Sequence, residues 1–146
     1  MGGLNKLDIR SGHFTHYRME EGNPNTLPSD IIRDIIPYKS LLIIATQNGV
    51  CLFDPANGQC QKLFKDSKEG KSIKMVADVT FDSEGTLWIA ATGEGVFSYR
   101  FDTCRLTNYR HDATNPNSLS NNNVNNITQD SKGNLWFSTS GSGLDL

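Results

Sequence analysis

Residues 124–139 read Val124-Asn125-Asn126-Ile127-Thr128-Gln129-Asp130-Ser131-Lys132-Gly133-Asn134-Leu135-Trp136-Phe137-Ser138-Thr139. Two short runs of strand-forming residues flank a stretch that opens on Asp-Ser and carries Gly near its end. That is the chemistry of a tight hairpin in which Gly takes positive φ. The arrangement recurs with 76–81, Asp82-Ser83-Glu84-Gly85-Thr86 and Leu87-Trp88-Ile89-Ala90-Ala91-Thr92. A third copy has 32–36 and Leu41-Leu42-Ile43-Ile44-Ala45-Thr46, joined by a hairpin two residues shorter in which Pro37-Tyr38-Lys39-Ser40 replaces the Asp-Ser turn. The second run of each copy is apolar on both faces, which predicts a strand covered on both sides.

The periodicity extends on either side. Gly49 follows Gly3 by 46 residues, Gly95 follows Gly49 by 46, and Gly143 follows Gly95 by 48, each before Leu or Val. Asn23-Pro24-Asn25-Thr26-Leu27 returns as Asn115-Pro116-Asn117-Ser118-Leu119, 92 residues on. After each glycine a third strand, a turn (Asp8-Ile9-Arg10-Ser11-Gly12 or Asp54-Pro55-Ala56-Asn57-Gly58) and a fourth strand ending at Tyr17, Leu63 or Tyr109 are predicted. In the unit that follows Gly95, Arg100-Phe101-Asp102-Thr103-Cys104 stands in place of the Asp…Gly turn. No segment sustains a helical period with caps. Four strands per ~46 residues is the arithmetic of a β-propeller blade. The prediction is an all-β propeller fragment of about three four-stranded antiparallel blades of 46–48 residues, with units at 3–48, 49–94 and 95–142 and the start of a fourth at 143–146. A lone blade cannot cover both of its faces, so neighbours must stack on it. Trp88 and Trp136, with Leu42 taken as their counterpart, read as packing between blades.

Composition narrows the function classes. The chain has 146 residues, 14 basic and 16 acidic side chains and a formal charge of −2. Without a basic cluster, a nucleic-acid footprint is not expected. No apolar run approaches the ~18 residues of a membrane span, and 1–4 lack the basic and apolar regions of an export signal. Cys51, Cys60 and Cys104 are too few for a disulfide framework and are not spaced with His13, His16 and His111 as metal ligands. Cys51 and Cys60 lie nine apart across a turn, so a hairpin disulfide is open to them; buried free thiols are the plainer reading. No cofactor motif is present.

The run from Ser118-Leu119-Ser120 through Val124, Ile127, Gln129-Asp130, Gly133, Leu135-Trp136 and Thr139 resembles the two-component regulator propeller repeat. The same signature returns as Asp82, Gly85 and Leu87-Trp88, and more faintly around Ile35 and Leu41-Leu42. The resemblance implies an extracytoplasmic, periplasmic sensor segment of a hybrid two-component system, with carbohydrates, often oligosaccharides, as signals. Its kinase, receiver and membrane helix would lie in parts of a parent protein outside these residues.

No catalytic constellation is legible. Asp34 and Asp78 recur with Asn126 at one position early in the first strand, and a glycosidase would need two carboxylates ~5–9 Å apart. Repeat symmetry explains these groups as partners of backbone at the ring's mouth. Propeller geometry puts the loops 18–31, 64–75 and 110–123 on one face with the links 46–49, 92–95 and 140–143. That face offers Asn23, Asn25, Asp30, Arg33, Gln47, Asn48, Lys71, Lys74, Glu94, Asn121, Asn122 and Ser140 as candidate ligand-binding residues. Amide, carboxylate and cationic groups suit sugar hydroxyls and anionic sugars. The two Asn-Pro-Asn segments read as turn punctuation. A protein-interaction scaffold without a small ligand is the alternative function. Three blades cannot close a ring, since propellers use ~4–8. Self-association of two chains into six blades, or docking on the remainder of a parent propeller, is expected.

Overall fold

The computed structural model describes residues 2–141 and 143–145. Strands β1 (Leu4–Leu7) and β2 (Phe14–Tyr17) form a two-stranded sheet. β3 (Ile32–Tyr38), β4 (Leu41–Thr46), β5 (Gly49–Phe53) and β6 (Cys60–Lys62) form a four-stranded one. β7 (Val76–Phe81), β8 (Leu87–Ala91), β9 (Gly95–Arg100) and β10 (Arg105–Tyr109) form another. β11 (Val124–Gln129), β12 (Leu135–Thr139) and β13 (Gly143–Asp145) form a three-stranded one. All pairings are antiparallel between neighbours in sequence, the connectivity of propeller blades. We number these sheets as first to fourth blade. Each sequence unit supplies the outer half of one blade and the inner half of the next.

The strands fall close to their predicted limits. The β3–β4 hairpin is longer than expected because Tyr38 pairs with Leu41, leaving Lys39 and Ser40 as the turn, with Lys39 at φ 55°. The fourth strand of the second blade stops at Lys62, one residue before the expected Leu63. A short 3-10 turn at Gly70–Ser72, not expected from the residues, interrupts the loop that follows.

Three apolar clusters lie between successive blades. Between the second and third, Ile43, Ala45 and Val50 meet Val76, Val79, Leu87, Ile89, Ala91 and Phe97, all buried. Between the first and second, Leu4 and Leu27 meet Ile44, Cys51, Phe53 and Cys60. Between the third and fourth, Ala90, Val96 and Trp88 meet Val124, Ile127 and Phe137. The alternating residues of β4 and β8 thus enter clusters on opposite sides, as the doubly apolar pattern requires. Trp88 packs at 6.0 Å from Phe137 and 5.6 Å from Tyr109, and its Nε1 donates to Asp82 Oδ2 at 2.8 Å.

Pairing register corrects one assignment. Ala90 pairs with Asp78 and Ala45 with Asp34, which makes Ile43, not Leu42, the counterpart of Trp88. Leu42 instead faces the first blade. The one-residue slip arises because Thr46 pairs with Gly49 across two residues, whereas Ala91 pairs with Gly95 across three.

The cysteines depart from the free-thiol reading. Cys51 and Cys60 are bonded to each other across the β5–β6 hairpin and buried, while Cys104 is free and exposed. Register explains the pair: Phe53 faces Cys60 and shares its side of the strand with Cys51.

Candidate functional site at the inner strands

The innermost strand of each complete inner hairpin carries a β-bulge at one repeat position, between Ile32 and Asp34, Val76 and Asp78, and Val124 and Asn126. The extra residues are Arg33, Ala77 and Asn125. A bulge re-aims the side chains beside it. Here it brings Arg33, Ala77 and Asn125 together with Gln47, Met75, Val76 and Thr92 around a cavity of about 270 Å3. That is near the lower end of the ~300–1,000 Å3 usual for small-ligand clefts.

Next to the bulges the polar residues of the first strands tie blade to blade. Asp34 Oδ2 accepts the N–H of Val79 at 3.2 Å. Asp78 Oδ2 accepts the N–H of Ile127 at 2.6 Å and the Nδ2 of Asn126 at 2.9 Å. The backbone-satisfying reading of Asp34 and Asp78 therefore holds. They also meet each other: burial, together with a hydrogen bond and like charge from Asp34, pushes the Asp78 carboxyl up to about 6, against the pull of the Ile127 N–H.

The sequence-nominated residues divide. Arg33 and Gln47 line the cavity. Ser140 touches its rim, its Oγ accepting from Asn125 Nδ2 at 2.8 Å. Asn23, Asn25, Asp30, Asn48, Asn121 and Asn122 hold loops in shape. Asn23 Oδ1 caps the N–H of Asn25 and Asn121 Oδ1 that of Asn123. Asp30 Oδ1 takes the N–H of Met19 and Asn122 Oδ1 that of His111, both at 2.7 Å, at matching repeat positions. Asn48 reaches the Pro28 carbonyl. Asn115 Oδ1 caps Asn117 N–H just as Asn23 caps Asn25, so both Asn-Pro-Asn segments are Asx turns. Glu94 pairs with Arg110. Lys71 sits in the 3-10 turn, and Lys74 is exposed beside Lys62. The link 140–143 includes Ser142, which lies outside the described residues.

Asn125, Thr92 and Met75 were missed. Asn125 had a usable signal: it precedes Asn126 as Arg33 precedes Asp34. Met75 and Thr92 enter only because Thr92 N–H bonds the Met75 carbonyl and Met75 N–H that of Gln47, at 3.1 and 2.8 Å. Among the described residues no group of three or more His, Cys, Asp or Glu is placed to hold a metal ion, and no helix is long and apolar enough to cross a membrane.

Known proteins place this architecture. No curated protein matches the chain. The chain is similar to two crystal structures of the extracellular domain of BT4673 from B. thetaiotaomicron, described in one as a one component system and in the other as a hybrid two component system. Identities are 23% and 22% and TM-scores 0.50 and 0.51, over 98% of this chain and 24% of those chains. The chain thus spans about a quarter of their length, and the likeness is one of fold. Residues 118–141 match the family described as two component regulator propeller. They cover the β11–β12 hairpin and the Asp130–Trp136 bond, so this stretch matches a two-component regulator propeller repeat on the blade geometry described above.

Proposed function

We propose that this chain is a ligand-sensing propeller segment of an extracytoplasmic, periplasmic sensor in a hybrid two-component system, and that it takes a polar solute of the oligosaccharide class without chemically altering it. The carrying observation is the cavity at the bulges, where a guanidinium, two amides and a hydroxyl (Arg33, Gln47, Asn125, Thr92) surround the apolar Met75 and Ala77. Sugars present hydroxyls around apolar C–H faces, and such a lining matches both. The repeat at 118–141 supports the sensor role. Residues from the second, third and fourth blades meet there, so a bound solute bears on how the blades are held together.

Isothermal calorimetry against neutral and acidic oligosaccharides tests the reading. Heat of binding that disappears in both Arg33→Ala and Asn125→Ala is the expected result. An absence of binding across the panel, or binding indifferent to both changes, refutes it and favours the scaffold alternative.

A further inference from the structure

The loop 64–75, between the second and third blades, has a period of three. Ser67 N–H bonds the Phe64 carbonyl at 3.2 Å, Ser72 N–H that of Glu69 at 3.3 Å and Ile73 N–H that of Gly70 at 3.1 Å. Side chains three apart stand over one another in such turns. Phe64, Ser67, Gly70 and Ile73 make the inward row: Gly70 and Ile73 are buried, Phe64 and Ser67 half-buried. Phe64 meets Tyr99 edge-on at 4.7 Å, Ile73 enters the core between the two blades, and Gly70 lies so close to Phe64 and Ser67 that a Cβ has no room. Lys65, Lys68, Lys71 and Lys74 make the next row, and all four are exposed. The packed row thus holds the lysines out along one edge of the loop.

The row gathers charge that its surroundings do not cancel. From Lys62 to Lys74 lie five of the 14 basic side chains and two of the 16 acidic ones, on a chain of net charge −2. No two of these lysines adjoin in sequence, so no basic run marks them. Asp66 and Glu69 fall in the third row, and among the described residues no ion pair includes them or any of the five lysines. Lys62 lies against Gly49, where burial and the like charge of Lys74 lower its pKa. The equivalent loops differ: 18–31 carries Arg18 against Glu20, Glu21 and Asp30, and 110–123 carries Arg110 against Asp112. The repeat therefore does not call for the lysines. Lys74 is followed by Met75, which lines the cavity and gives its N–H to the Gln47 carbonyl at 2.8 Å. The row thus ends at the cavity, whose own cation is Arg33.

We propose that the solute is an acidic oligosaccharide, one end seated in the cavity with Arg33 and its further carboxylate or sulfate groups laid along Lys74, Lys71, Lys68 and Lys65. This rests on the cavity being the solute site. Ammonium groups act as point charges without the planar fork of Arg, so the row reads the spacing of anions, carboxylate and sulfate alike. Side chains three apart in 3-10 geometry are about 6 Å apart along its axis. A linear saccharide with a charge on each sugar offers anions at intervals of that order. An anion held there also relieves the repulsion between Lys62 and Lys74. An acidic peptide would satisfy the row but not the cavity, whose lining suits hydroxyls over apolar C–H faces.

Isothermal calorimetry on the intact chain tests this with hexasaccharides of oligogalacturonate and of sulfated carrageenan, each against its methyl-esterified or desulfated form. At least one charged form binds about tenfold or more tightly than its uncharged form at about 50 mM salt, and the advantage shrinks by about 300 mM. The triple change Lys68→Gln, Lys71→Gln and Lys74→Gln brings the charged form down to the affinity of the uncharged one, with circular dichroism unchanged. The triple change Lys6→Gln, Lys39→Gln and Lys132→Gln, which removes as much charge outside the row, leaves the advantage in place. Equal affinity for charged and uncharged forms, or an advantage that survives the change in the row, overturns this inference while the sensor reading stands. So does a hexaglutamate peptide that binds through the same lysines as tightly as the charged sugar. Binding of no oligosaccharide, charged or uncharged, overturns both.

Discussion

The Asp78 carboxylate accepts the backbone N–H of Ile127 at 2.6 Å, and so a side chain of the third blade closes the backbone of the fourth. Asp34 makes the same bond to Val79 one blade earlier. The stack is therefore held by an apolar layer and by a polar latch at its inner edge. The latch residues Asp34, Asp78 and Asn126 directly follow Arg33, Ala77 and Asn125, which line the cavity.

Removing the latch weakens the fold. Asp78→Ala leaves the Ile127 N–H and the Asn126 amide without their acceptor, and it lowers stability by about 1–3 kcal/mol. Asp78→Asn costs less, since Asn126 occupies the same repeat position. Urea midpoints of the two variants at neutral pH check the order.

The same group gives the fold a pH dependence. Burial and Asp34 raise Asp78 to about 6, so the fold favours its protonated form. Its contribution is whole below the ordinary value of 3.8 and is lost as pH climbs through about 6. Asp130 acts oppositely: hydrogen bonds from Trp136 and Asn134 hold it down to about 2, so its contribution is present above 3.8 and lost as pH falls toward about 2. Urea midpoints measured from pH 4 to pH 7 fall less in Asp78→Asn than in the parent chain.

Gly95 and Gly85 separate two reasons for a glycine. Both have positive φ, 83° and 80°. A Cβ on Gly85 meets nothing within 4 Å, whereas one on Gly95 overlaps the Tyr109 carbonyl oxygen across β9–β10. Gly85→Ala costs about 1–2 kcal/mol from backbone strain alone, and Gly95→Ala costs measurably more. Equal thermal shifts for the two variants would contradict this.

The Cys51–Cys60 bond closes a short loop between β5 and β6. By chain entropy a loop of this length stabilises by about 2–3 kcal/mol. Thermal unfolding with and without a reductant reads the difference, and Cys104→Ser leaves it unchanged because Cys104 is free.

Strand number, hairpin turns and the two-sided burial of β4 and β8 were legible in the residues, because local chemistry fixes them: Asp-Ser-x-Gly turns, runs without a polar face, and glycines at a fixed spacing. The Asx turns around Asn23 and Asn115 were legible for the same reason. The partnership of Trp88 with Ile43 was not, since a one-residue difference in a link slips the register without altering the apolar pattern. Nor was the disulfide, which needs Cys51 and Cys60 on one side of paired strands. The gathering of Arg33, Gln47, Thr92 and Asn125 depends on three successive bulges and on the angle between blades. Those relations join residues tens of positions apart and leave no mark in any short stretch of chain.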